Sequence, residues 1–98
     1  AEPWYWREFG LAYLLLRRYD EALAIFNYQP TRKYRITALR AACHALRGDT
    51  TQARLDVAQC LSLRPVFSTR HLIAKLTFKE PADAAHLGDG MRLAGLPD

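Results

Sequence analysis

Three histidines, two cysteines and scattered serines and carboxylates are the groups in this 98-residue chain with chemistry to offer. Zinc needs three or four convergent ligands. His44, His71 and His86 have no partner at i,i+4 that would set two ligands on one helix face. Cys43 and Cys60 match no metal or redox spacing. They read as small, half-buried thiols in a reducing cytosol. Ser62 and Ser68 lack the Gly-x-Ser-x-Gly elbow of an activated nucleophile. The five glycines are isolated, so no loop is built to cradle a phosphate. Asp20 and Glu21 fall in a helix's first turn, where they favour the dipole. The expectation is a chain without catalytic, cofactor-binding or metal-binding residues.

The formal charge is +4. Arg32, Lys33, Arg35, Arg40 and Arg47 concentrate the basic residues, but not in one stripe. Lys33, Arg40 and Arg47 share a helix face, and Arg32 and Arg35 lie elsewhere. The run is read as a solvated surface, with an acidic protein partner as the alternative. Nucleic acid ranks last, as neither a base-reading motif nor a stacking platform accompanies the charge. No apolar run is long enough to span a membrane. The start, Ala1-Glu2-Pro3, shows no charged segment followed by an apolar one. Expected is a cytoplasmic domain over residues 1–98, the C-terminal part of a larger protein.

The elements that must position these groups are helical. Strand signals are poor, with no alternating β-branched stretch. From Trp6, apolar residues recur at Phe9, Leu11, Tyr13, Leu14 and Leu16. Pro3 suits a helix's first turn, and Arg17 and Arg18 its end. A short helix from Tyr19 puts Ala22, Ile25 and Phe26 on one face and ends at Gln29-Pro30-Thr31. A third, capped by Thr31, runs from Arg32 to Arg47 and stops at Gly48. A fourth, capped by Asp49 or Thr50, ends at Arg64-Pro65. A fifth is expected from Val66 or Phe67 to about Leu76. The last runs from Pro81 to Ala94, weakened by Gly88 and Gly90 at about 1 kcal/mol each.

Two of these helix pairs repeat. "RRYDEALAIF" (17–26) aligns with "GDTTQARLDV" (48–57), so Ala22 matches Ala53, Phe26 matches Val57, Gly10 matches Ala41 and Tyr13 matches His44. The pattern resembles the tetratricopeptide repeat, W-x2-L-G-x2-Y…A-x3-F…P. Trp6, Phe9, Gly10, Tyr13, Ala22 and Phe26 fill the first unit in register. Ala41, Gly48, Ala53, Val57 and Pro65 fill the second more loosely, with Thr37 and Arg40 at the tryptophan and leucine positions. Small residues sit where paired helices approach, with large ones beside them. One unit cannot bury its face alone, so units must stack.

The resemblance implies an all-α, right-handed superhelical α-solenoid fragment. Repeats at about 3–30 and 31–65 would be followed by two C-terminal helices (about 66–95), the last a cap. "FKEPADAAHLGDGMRLAGLPD" (78–98) is similar to the ending of tetratricopeptide regions in bacterial class III adenylate/guanylate cyclases and related winged-helix regulators. It implies a scaffold module of a signalling protein whose catalytic or DNA-binding domain lies elsewhere.

Tetratricopeptide stacks bind through their concave face. The resemblance places Trp4, Arg7, Glu8, Leu11, Leu14, Arg35, Ala38, Leu39 and Ala42 in that groove. Members that clamp a terminal carboxylate use asparagines where this chain has Leu11 and Leu39. The implied ligand is therefore apolar: a partner's amphipathic helix, or a second copy of the chain. Of the opening aromatics, Trp6, Phe9 and Tyr13 are expected inside, with Trp4 and Tyr5 left over for contact. A nucleic-acid-binding domain is the reading of another class.

Overall fold

The computed structural model describes residues 4–28 and 33–98, with side chains from Glu8 onward. Roles expected of Pro3, Thr31, Arg32 and the side chains of Trp4, Tyr5, Trp6 and Arg7 lie outside the described residues. Within them are six helices: α1 (Trp4–Leu15), α2 (Tyr19–Phe26), α3 (Tyr34–Arg47), α4 (Thr50–Leu63), α5 (Thr69–Lys75) and α6 (Pro81–Ala94). The all-α class follows.

The first four form two helical hairpins, α1–α2 and α3–α4, with α2 packed on α3. Their turns are built alike. Helix α1 ends with Arg17 N donating to Leu14 O (2.9 Å) and Arg18 N to Tyr13 O (2.8 Å). Helix α3 ends with Gly48 N donating to Ala45 O (3.0 Å) and Asp49 N to His44 O (2.8 Å). This paired closure needs a left-handed residue at its centre. Gly48 takes φ 89° and Arg17 takes φ 63°. Each atom pair in one turn corresponds to the other at the spacing that aligns Ala22 with Ala53. Asp49 then caps α4, its carboxylate accepting from Gln52 N (3.2 Å).

Small residues sit where the helices of each hairpin approach. A Cβ on Gly10 would stand 2.4 Å from Phe26 Cε1, so that ring fills the room a side chain would need. Ala22, Phe26, Ala41 and Ala53 are buried. Phe9 departs from expectation: it is 51 % exposed rather than interior.

The last helices depart more. Helix α5 begins at Thr69, later than expected, because Ser68 caps it by accepting from His71 N (3.1 Å). It packs chiefly on α6. Helix α6 lies along α3 and also touches α1 and α4. Gly90, expected to weaken α6, makes that approach possible: a Cβ would stand 2.8 Å from Leu46 Cδ1 and 3.2 Å from Ala42 Cβ. Leu87 and Met91 are fully buried beside it. Gly95 (φ 109°) closes α6, and the tail folds back. Leu96 is buried, Pro97 O accepts from Thr69 N, and Asp98 pairs with Arg70 (3.0 Å) and Arg92 (2.9 Å).

Candidate binding cleft

The groove expected on the first helices of the two pairs is not open. Leu11, Leu14, Ala38, Leu39 and Ala42 are all buried within the chain. The reason is α6, whose Gly90 sits against Ala42 and Leu46. Of the other groove residues with described side chains, Glu8 is exposed and Arg35 half-buried. The face read as a partner's seat is thus largely core.

The basic face of α3 is not simply solvated either. Arg40 and His44 turn onto Asp56 of α4, at 3.6 and 3.5 Å. Asp56 is buried. Burial pushes its carboxyl above the ordinary range, against the pull of Arg40 and His44. Burial likewise pushes the His44 imidazole down, opposed chiefly by Asp56. Arg40 Nε, His44 Nδ1 and Asp56 Oδ2 make no hydrogen bond. Arg47 pairs with Asp20 of α2 at 2.9 Å, tying the hairpins together. Cys43 is buried, and its thiol is pushed up to about 12, so it stays protonated and poorly nucleophilic at neutral pH. Burial raises Cys60 as well, and its thiol donates to Tyr34 O (3.6 Å). His86 accepts or donates one hydrogen bond with Tyr19 (2.9 Å), bracing α6 on α2. Among the described residues, no group of three or more His, Cys, Asp or Glu converges as a metal site. Nor is any described helix long and apolar enough to cross a membrane.

An open cleft of about 340 Å³ lies elsewhere, between the start of α3, the end of α4 and α5. Tyr34, Phe67 and Leu72 give it apolar walls, Arg64 and Lys75 give it cations, and His71 also lines it. Tyr34 and Phe67 meet edge to face, centroids 6.0 Å apart. The Arg64 guanidinium lies 5.3 Å from the Tyr34 ring centre. Arg35 Nε donates to the Tyr34 hydroxyl at 3.4 Å. That hydrogen bond, with the charges of Arg35, Arg64 and Lys75, holds the phenol below its ordinary range against desolvation. No acidic residue is among the described residues that line the cleft. A second concavity, of about 320 Å³ at the α1–α2 turn, differs: Glu21 pairs with its Arg18 and Asp20 with its Arg47.

The cleft was not visible in the sequence. Its side chains come from three elements at no regular spacing, and only the Arg64-Pro65 helix stop marked the region. Comparison with protein-family models, curated proteins and solved structures returns no match.

Proposed function

We propose that this chain is a tetratricopeptide-like, non-enzymatic protein-interaction module of a larger bacterial signalling or regulatory protein, an adenylate cyclase being one such parent. One observation carries the reading. The α1–α2 and α3–α4 turns share the same two closing hydrogen bonds, each around a left-handed residue, Arg17 and Gly48. Duplicated helical hairpins of this kind serve as stacked frames for binding. The buried, protonated thiols and a His44 turned onto the buried Asp56 also fit a scaffold better than a catalyst. Because α6 covers the face of α3, a partner engages another surface of the stack.

Panning a displayed peptide library on the whole chain tests this. Enrichment of related sequences that bind the folded chain and not the urea-unfolded chain is expected. A library that yields no folded-state binder counts against an interaction module.

A second reading, self-association, is favoured by one feature. Phe9 and Ala12 of α1 and Leu16 just after it are exposed, Leu16 at 65 %. Sedimentation would then show a concentration-dependent dimer that Leu16→Asp abolishes. A strict monomer at all concentrations removes this reading.

A further inference from the structure

The cations around Tyr34 lack the carboxylate partner that most other described arginines have, Arg17 and Arg54 excepted. Arg18, Arg40, Arg47, Arg70 and Arg92 each have a carboxylate partner. Among the described residues, Arg35, Arg64 and Lys75 have none, although they surround one aromatic ring at the mouth of a cleft. Beside them the apolar surface is uncovered: Val66, on the cleft's rim, is 76 % exposed, while Phe67 beneath it is buried. Unanswered positive charge next to an apolar wall fits a ligand that is anionic at one end and apolar at the other.

The kind of anion follows from which donors remain. Phosphates are commonly held by backbone N–H groups. At the start of α5 those groups are taken: Thr69 N donates to Pro97 O, Arg70 N to Asp98 O and His71 N to Ser68 Oγ. The Ser68 hydroxyl is also spent, on Asp98 O. What remains on that side of the cleft is side-chain cations, which pair with a carboxylate through charge-assisted hydrogen bonds. A nucleic-acid strand needs a track of phosphate contacts. Three cations around a cleft of about 340 Å³ offer room for one or two side chains instead.

We infer that this cleft binds an acidic peptide segment, a glutamate or aspartate carboxylate meeting Arg64 and Lys75 while an adjacent apolar side chain covers Val66 and Phe67. The inference rests on the interaction-module reading and gives it a partner class. The site lies away from the face that α6 covers, so binding requires no displacement of that helix.

The test uses the whole chain and a short, end-blocked peptide in which glutamates flank a leucine. Titration by calorimetry and by amide NMR should show saturable binding, with shifts concentrated at Tyr34, Phe67 and Lys75. The matching peptide with glutamine for glutamate should bind at least about tenfold more weakly, as loss of a charge-assisted contact implies. Arg64→Glu with Lys75→Glu should do the same; both side chains are exposed, and circular dichroism checks the fold. Equal binding of the two peptides, shifts remote from the cleft, or no binding would overturn the inference. So would tighter binding of inorganic phosphate or of a single-stranded oligonucleotide. If panning enriches folded-state binders that lack acidic residues, the interaction module stands and this assignment of the cleft falls.

Discussion

The two hairpins share a frame and fill it with opposite chemistry. At the three positions where α1–α2 carries Phe9, Tyr13 and Ile25, α3–α4 carries Arg40, His44 and Asp56. One trio is aromatic and aliphatic; in the other, half-buried Arg40 and His44 turn onto the buried Asp56 at 3.6 and 3.5 Å. Backbone geometry is therefore indifferent to what fills these positions, provided the set is self-consistent. A second contrast lies at the helix crossing. The first hairpin pairs no side chain with a large ring, Gly10 against Phe26, and the second uses Ala41 with Val57 at the same positions. Size has been moved from one helix to its neighbour.

Breaking the ionic trio should have the largest effect. Asp56→Ala leaves the half-buried Arg40 without its carboxylate and should cost about 3 kcal/mol in urea unfolding. The comparison sharpens if the whole trio is converted. Arg40→Phe, His44→Tyr and Asp56→Ile together copy the first hairpin's set, and should return stability to within about 1 kcal/mol of the parent. If the triple variant is as damaged as Asp56→Ala, the two hairpins are not interchangeable frames.

Next is the crossing. Gly10→Ala drives a methyl into the Phe26 ring and should cost about 1–3 kcal/mol. Adding Phe26→Val reproduces the second hairpin's Ala–Val pair. The double variant should then lose less than the two singles summed, by about 1 kcal/mol. Simple additivity would mean that the ring and the glycine are not coupled.

Acid is a milder perturbation of the same contrast. Burial depresses His44, and burial followed by the charge of Arg17 depresses His86. A depressed imidazole contributes stability above its ordinary value of 6.5 that is lost as pH falls through the folded value. Asp56, raised from 3.8, works oppositely: its share is present at low pH and lost as pH rises above that value. Below neutrality the histidines act first, so the melting temperature should fall as pH drops through 6.5. The trio-converted variant, left with His86 but not His44, should show a shallower fall. An unchanged slope would place the acid sensitivity outside the ionic trio.

The duplicated frame was legible in sequence because it rests on local rules. Small residues at crossings, a glycine after Arg47 and a capping Asp49 are each readable within a few positions. The docking of α6 was not. Periodicity shows that Leu87 and Met91 face something apolar, but not that the partner is α3. From sequence alone, Leu11, Leu39 and Ala42 therefore suggest an open groove, and Gly90 a weakness in a helix. The glycine that lowers helix propensity is the one that lets the helix approach Ala42. The cleft was equally hidden, since Tyr34, Arg64 and Lys75 converge only after α5 has been set by Ser68.

The smallest expected effect concerns the turns, which are alike except in their central residue. Arg17 holds φ 63° where Gly48 holds φ 89°. A left-handed backbone strains a residue with a Cβ by roughly 1–2 kcal/mol. Glycine removes that strain but gains unfolded-state freedom worth roughly 0.5–1 kcal/mol. Arg17→Gly also gives up the guanidinium's hydrogen bond to Leu15 O (3.1 Å), which is exposed and therefore weak. The balance is a stabilisation of about 0.5 kcal/mol. Gly48→Ala, where no neighbour lies within reach of the new Cβ, should destabilise by about 1 kcal/mol through backbone strain alone. Opposite signs at the two positions would show that both turns demand the left-handed residue. A loss at Arg17 would mean that its side chain, rather than its backbone, holds the first turn.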